Sequence, residues 1–307
     1  MLRGGCATIV AGVTASAAGC LTDGEQANNS AEEYNSAVDL LKQNSEVFNE
    51  YGSQEELPDS FNKEEIHRRV NSAEQHLDEA KSGADDELSA KIDNAEAIAK
   101  YQRKAASYNA LLVDQKHCMD SFGSLSSAER WEDANKKIKE CVSGFDETEK
   151  ALTETQSAYN DIDQELLDEE GRLEVEDLGD ELQFEEETLN VVGELINSFD
   201  LFAEGMPVLM GGFEDYEAEN WHSSQEKFEE ARDTFAQSEG RLSELENDPD
   251  LPASFESDVV ETRCYVDALR EGTDYWAKSA AAANRRNWND AEYYAQEGNT
   301  AFDRCSM

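Results

Sequence analysis

Apolar residues recur every three to four positions along most of the chain, the spacing of one face of an α-helix. The longest run extends from Leu88 to Phe122, and shorter runs cover Tyr34 to Phe48 and Ile66 to Leu77. Only four prolines interrupt the sequence, and it has no runs of alternating β-branched residues of the kind that predict strands. The pattern therefore predicts an all-α protein.

Three predicted helices begin with tryptophan and share one order of large and small residues. Small residues follow each tryptophan at three and ten positions, and a phenylalanine follows at fourteen. These offsets fall on one helix face, so the small residues mark two points where a neighbouring helix must approach closely. The predicted core positions are Trp131, Ala134 and Phe145; Trp221, Phe228 and Phe235; and Trp288, Ala291 and Phe302.

This order resembles the second helix of a tetratricopeptide (TPR) unit, in which an aromatic residue precedes small residues that admit the neighbouring helix. The resemblance implies stacked antiparallel helical hairpins and a surface that binds other proteins. It is partial, because the motif of the first helix is not recognisable and the three copies are unevenly spaced along the chain. A TPR-like superhelix and an irregular helical bundle both remain open.

The charge of the chain is extreme for a folded protein. Asp and Glu number 70 against 26 Lys and Arg, which gives a formal net charge of −44. Such a surface repels itself in dilute buffer, whereas at 1 M salt the screening length falls to about 3 Å. We therefore expect a halophilic surface, similar to that of haloarchaeal proteins. No basic stripe exists to bind phosphates, which excludes nucleic acid as an expected partner.

The first thirty residues differ from the rest of the chain. A short apolar run ends at Ala17-Ala18-Gly19-Cys20, and no acidic residue precedes Asp23. The segment resembles a lipoprotein signal peptide, so residues 1–19 are predicted to be removed and Cys20 to carry lipid. Residues 20–30 are predicted to form a flexible tether, in which Asn28 is a possible glycosylation site. The expected location is the extracellular face of the cell membrane, with secretion as the alternative.

Four cysteines remain after Cys6 and Cys20 are set aside, and they allow three pairings. If each tryptophan helix returns antiparallel to the helix before it, Cys118 and Cys141 lie nearly equidistant from the turn before Trp131. Cys264 and Cys305 flank the turn before Trp288 in the same way. The sequence thus predicts the disulfides Cys118–Cys141 and Cys264–Cys305, as suits an exported protein. A zinc site is disfavoured, because the chain has no C-x-x-C spacing.

A search for catalytic motifs finds none. The four histidines form no metalloprotease motif, and the chain has no nucleophile elbow and no phosphate-binding glycine loop. Carboxylates are so frequent that no pair stands out as a general acid and base. We therefore expect no enzyme activity, no cofactor and no metal site.

The most acidic internal stretch, residues 168–180, suggests a boundary between helical regions 31–170 and 181–307. Gly205-Met206-Pro207 is predicted to kink or end a helix in the second region. The expected function is a protein-binding or scaffold module at the cell surface, of unknown oligomeric state. Its partner is expected to be another protein, which meets either the surface of the helical repeat or the apolar segment 205–213. Alternatives are a transporter-associated ligand-binding lipoprotein, which would need strands that the pattern lacks, and a structural envelope spacer.

Overall fold

The computed structural model describes residues 24–52, 57–169, 175–249 and 251–305. Within these ranges the chain forms nine α-helices, a short 3₁₀ turn at Asp303–Cys305 and no strand, so the all-α prediction is confirmed. The helices are α1 (Gly24–Gly52), α2 (Lys63–Lys81), α3 (Asp86–Ser127), α4 (Trp131–Tyr159), α5 (Gln164–Glu169), α6 (Val175–Glu217), α7 (Trp221–Glu246), α8 (Glu256–Asn284) and α9 (Trp288–Phe302).

The described residues form two compact units that are discontinuous in sequence. The first unit contains the residues up to His117 together with Gly144–Glu186, and the second contains Cys118–Ser143 together with the residues from Glu187 onward. Helices α3, α4 and α6 each contribute to both units, because each continues without a break past the dividing residue. The units therefore do not coincide with the predicted regions 31–170 and 181–307.

The first unit is organised around a buried polar network among α1, α2 and α3. The side chains of Asn44 and Gln102 are fully buried, and the Asn44 Nδ2 group donates to Gln102 Oε1 at 3.0 Å. Gln102 Nε2 in turn donates to the carbonyl oxygen of Leu41 at 2.9 Å and to Ser45 Oγ at 3.1 Å. Because buried polar groups are costly when unpaired, this network favours one register between α1 and α3.

The predicted N-terminal tether is partly helical. Helix α1 begins at Gly24, so residues 24–30, including Asn28, belong to a helix rather than to a flexible segment. Ser30 is buried, which shows that packing against the first unit already begins within the predicted tether. The predicted signal peptide, residues 1–19, and the predicted lipid site, Cys20, lie outside the described residues.

The second unit contains three antiparallel helical hairpins with nearly identical turns. Each turn has a residue in the left-handed region two positions before the tryptophan that begins the returning helix: Glu129, Glu219 and Arg286, with φ of 55°, 61° and 60°. In each turn the next residue donates its backbone N–H to the carbonyl five residues earlier, as Arg130 does to Leu125 at 3.0 Å. This is the hydrogen-bond pattern of a Schellman helix end. The prediction that Trp131, Trp221 and Trp288 begin returning helices is confirmed.

The small residues of the hairpins allow close helix contacts, as the sequence predicts. Ser224 and Ala291, at the third position after Trp221 and Trp288, are buried, and Ser224 Oγ donates to the carbonyl oxygen of Gly212 at 2.9 Å. Across the α8–α9 hairpin, a Cβ on Gly298 would lie 2.7 Å from Cδ1 of Trp276. The helices therefore approach closely through residues that lack a large side chain.

Pro207 does not end its helix, which corrects one of the two outcomes predicted for Gly205-Met206-Pro207, a helix end. Helix α6 continues from Val175 to Glu217 with Pro207 inside it. A proline inside a helix costs about 3 kcal/mol through the lost hydrogen bond and a steric clash. Met206 and Leu209, on either side of Pro207, are buried. Their burial offsets this cost, because ending the helix here would expose both side chains.

Candidate protein-binding surface

The three tryptophans that begin returning helices differ in how well they are covered. The Trp131 ring packs edge-on against Phe202 of α6, with 5.6 Å between centroids. The Trp221 ring packs edge-on against Trp288 of α9 at 5.9 Å. In both cases the cover comes from the hairpin that follows in the chain, and both rings are partly buried. Trp288 itself is 56 % exposed.

The prediction that Trp288 is a core residue is therefore wrong. Its local sequence matches that of the other two hairpins, but in the described part of the chain no further hairpin follows α9 to cover it. The other predicted core positions lie inside: Ala134, Phe145, Phe228, Phe235 and Ala291 are buried, and Phe302 is partly buried. The exposed indole of Trp288 thus marks the place where the pattern of covered tryptophans stops.

The outer face of α9 carries little charge. Asn289, Tyr293, Gln296 and Thr300 are exposed at spacings of four, three and four, so they form one stripe along the helix. We call these four residues the α9 stripe. Tyr293 is 56 % exposed. The exposed residues of α9 are Trp288, Asn289, Asp290, Glu292, Tyr293, Gln296, Asn299 and Thr300. Only two of them, Asp290 and Glu292, are charged.

The equivalent part of α4 has the opposite character. Six of its first fifteen residues are exposed: Glu132, Asp133, Lys136, Lys139, Glu140 and Ser143. All of them except Ser143 are charged. The difference matters because the centre of a protein–protein interface is depleted of charged residues relative to the remaining surface. In a chain with 70 acidic residues, an exposed helix face with so few of them has the composition of an interface.

Two arginines stand at the edge of this face. Arg285 and Arg286 form the turn before α9, and both are exposed. Most lysines and arginines of the described ranges pair with a carboxylate, as Arg304 does with Asp267 at 2.7 Å. Neither Arg285 nor Arg286 has such a partner within those ranges. Exposed arginine beside exposed tryptophan and tyrosine is the combination of residues that contributes most to binding at protein interfaces.

A rigid base supports the exposed face. Ser279 Oγ of α8 donates to the carbonyl oxygen of Ala291 at 2.8 Å, and Tyr216 Oη lies 2.8 Å from Ser279 Oγ. Tyr216 also contacts the rings of Trp221 and Trp276, with centroids 4.8 Å and 5.1 Å away. These contacts, which include the buried Ser279 and Ala291, hold the first turn of α9 against α6 and α8, and the exposed side chains project from that helix.

Both predicted cysteine pairs lie at disulfide distance in the second unit. The Cα atoms are 5.6 Å apart in Cys118–Cys141 and 5.8 Å apart in Cys264–Cys305. The first pair joins the two helices on either side of the turn before Trp131. The second joins α8 to the 3₁₀ turn that follows α9, and so holds the end of α9 in place.

Asp215 closes the turn between α6 and α7. Its carboxylate accepts hydrogen bonds from Lys227 Nζ at 2.8 Å and from Ser223 Oγ at 2.6 Å. These two donors lower the pKa of Asp215 from 3.8 to about 2. Asp200, on the same helix, differs: burial raises the pKa of its carboxyl group, and its Oδ1 atom is buried without a hydrogen-bond partner.

The described residues give no sign of a metal site or of a membrane-spanning helix. In these ranges no group of three or more His, Cys, Asp and Glu side chains is arranged to hold a metal ion. Likewise, none of the described helices is long and apolar enough to cross a membrane. No known protein family, curated protein or solved structure matches this chain.

The sequence alone does not single out this candidate surface. Arg285 and Arg286, Tyr293 and the α9 stripe were not among the predicted site residues. One signal in the sequence marks them: in a chain with 70 acidic residues, the segment from Arg285 to Phe302 contains only three carboxylates. Of this surface, the repeat pattern includes only Trp288, and it predicts that residue to be buried.

Proposed function

We propose that this protein is an exported, lipid-anchored scaffold that binds another protein through the outer face of α9. One observation carries the proposal. Trp288 and Tyr293 are exposed beside two arginines without carboxylate partners, on a face with little charge, in a chain whose net charge is −44.

The physical argument rests on the cost of removing charge from water. Carboxylates lose favourable solvation when an interface buries them, so an acidic surface resists association. The α9 stripe avoids this cost, because its four side chains are uncharged. Trp288 and Tyr293 together add apolar area, and burial of such area contributes about 25 cal/mol per Å² before the cost of association is subtracted.

The equivalent tryptophans indicate what kind of structure covers this face. Phe202 of α6 covers Trp131, and α9 covers Trp221, so in each case a helix supplies the contact. We infer that the partner presents a helix to Trp288 in a similar manner. In TPR-like proteins, repeated hairpins each dock on the previous one. The contacts between successive hairpins in this chain therefore support a TPR-like arrangement as part of the proposal.

The location follows from the N-terminal sequence and the cysteines. The small residues before Cys20 support lipid attachment, and two cysteine pairs at disulfide distance favour an oxidising compartment. Because α1 begins at Gly24, the chain from Cys20 to the first helix is short. The proposed anchor therefore holds the first unit close to the membrane.

Co-purification from native membranes in molar salt tests the binding role. The double variant Trp288→Ala, Tyr293→Ala is compared with a control that removes two exposed apolar side chains elsewhere, Phe184→Ala and Val260→Ala. We expect the wild type and the control to retain a stoichiometric protein partner, and the α9 variant to lose it. Equal recovery from all three proteins, or from none, would contradict the proposal and favour a structural spacer.

Mass spectrometry of the mature N-terminus tests the location separately. A lipid-modified Cys20 as first residue is expected. A chain that begins at Met1 in the cytoplasm would refute export and anchoring, while leaving the binding role of α9 to the co-purification experiment.

A further inference from the structure

We propose that the protein bound by the outer face of α9 is a second copy of this chain, with the two α9 helices antiparallel about a two-fold axis. The inference rests on the proposed function for the surface itself and adds the identity of the partner. Symmetric dimers are the commonest soluble oligomers, and they require one surface that is complementary to itself. The α9 stripe meets that requirement in its spacing and in the charges at its two ends.

The spacing of the stripe is the same in both directions along the helix. Asn289, Tyr293, Gln296 and Thr300 are separated by four, three and four residues. Antiparallel pairing around the midpoint of α9 places Tyr293 opposite Gln296 of the partner subunit and Asn289 opposite Thr300 of the partner subunit. Each pair combines hydrogen-bond donors and acceptors, so the polar atoms of the stripe find partners when water is displaced.

The charges at the two ends of α9 are complementary in this arrangement. Arg286 lies in the turn before α9, three residues before Asn289, and Asp303 lies three residues after Thr300. Both are exposed, and within the described ranges neither has an ion-pair partner of its own. Antiparallel pairing brings Arg286 alongside Asp303 of the partner subunit, and the two-fold axis repeats this ion pair at the other end.

The net charge of the chain determines when the dimer forms. Two copies that each carry −44 repel one another at low ionic strength, and Asp290, Glu292 and the partly buried Glu297 beside the stripe add to this repulsion. At 1 M salt the screening length is about 3 Å, so the repulsion is largely removed while contacts through the uncharged stripe persist. Salt should therefore strengthen the dimer, whereas an interface held mainly by ion pairs would weaken.

Sedimentation velocity of the full-length chain at 0.1 M and at molar KCl tests the proposal over a range of protein concentrations. The dimer is expected to form at molar salt and to dissociate at low salt. Gln296→Glu places carboxylates at the centre of the interface and should weaken the dimer by about tenfold or more. Gln237→Glu, the same change on the exposed face of α7, is the matched control and should leave the dimer unchanged.

A charge exchange tests the antiparallel register. Arg286→Glu alone and Asp303→Arg alone should each weaken the dimer, most strongly at the lowest salt concentration at which the wild type still dimerises, and the two together should restore it. A monomer at every concentration and salt, or a dimer equally unaffected by Gln296→Glu and Gln237→Glu, would overturn the inference. A monomer that still retains a different protein through Trp288 and Tyr293 would overturn it while leaving the proposed function standing.

Discussion

Phe235 of α7 lies so close to Gly205 of α6 that a Cβ atom on the glycine would be 2.6 Å from ring atom Cε1. Seven residues, or about two helical turns, further along α6, Gly212 lies under Phe228 in the same way. A Cβ atom on Gly212 would be 2.7 Å from ring atom Cε1 of Phe228. Both rings are fully buried, so they cannot turn aside without disturbing the core. The two glycines therefore determine how closely α6 and α7 pack.

Alanine at these glycines should destabilise the protein despite the better helix propensity of alanine. We expect Gly205→Ala and Gly212→Ala each to lower the free energy of unfolding by about 1–3 kcal/mol through overpacking. Gly240→Ala in α7 is the control, since no atom lies within 4 Å of its added Cβ. That change should raise stability by about 1 kcal/mol. Chemical denaturation in molar salt measures all three, and a stabilising effect at Gly205 would disprove the close packing.

The pH dependence of stability should distinguish Asp215 from Asp200. The pKa of Asp215 is about 2 in the fold against 3.8 for the free side chain, so its contacts stabilise the fold above pH 4. This stabilisation is lost as the pH falls from about 4 towards 2. Asp215→Asn should therefore lower the melting temperature at pH 7, and the difference from the wild type should shrink in acid.

Replacement of Asp200 should have the opposite effect on the melting temperature at pH 7. Because burial raises the pKa of its carboxyl group, ionisation of Asp200 at neutral pH opposes folding. We expect Asp200→Asn to raise the melting temperature at pH 7, and the gain to vanish below the unfolded pKa of 3.8, where both states are protonated. Thermal unfolding of both variants between pH 2 and 7 provides the measurement. A fall in melting temperature for Asp200→Asn at pH 7 would contradict the assigned burial.

Removal of each disulfide should reduce stability according to the length of the loop that it closes. The sequence separation is 23 residues for Cys118–Cys141 and 41 residues for Cys264–Cys305. The chain-entropy relation gives losses of about 3 and about 4 kcal/mol for the paired Cys→Ala variants. Peptide mapping under non-reducing conditions verifies the pairing first. A larger loss at the shorter loop would show that native contacts, not loop closure, dominate.

Sequence patterns determined much of this fold because they are local. The spacing of apolar residues predicted the helices, and the tryptophan turns predicted both cysteine pairs, since a hairpin fixes which positions face one another. A local pattern cannot show that α6 continues through Pro207, because the cost of one lost hydrogen bond competes with the burial of Met206 and Leu209, which depends on tertiary packing. Helix α1 begins earlier than the apolar pattern predicts, because polar residues such as those before Ser30 do not prevent a helix.

The candidate site was harder to predict for a related reason. Trp221 and Trp288 have the same local pattern, yet the first is covered and the second is exposed. That difference depends on whether another helix docks on the hairpin, which no local pattern records. The sequence shows that α9 has few charged residues, but a buried helix has few charged residues as well. The two cases can be told apart only when it is known which residues of α9 are exposed.

Site-specific photocrosslinking in native membranes at molar salt tests the binding role of α9 most directly. A photoreactive phenylalanine replaces Tyr293 on the α9 stripe, or Gln237 on the exposed face of α7 as the control. The account predicts one discrete adduct from position 293 and none from position 237, with the mass of two chains if the partner is a second copy. No adduct at position 293, or the same adducts at both positions, would contradict it.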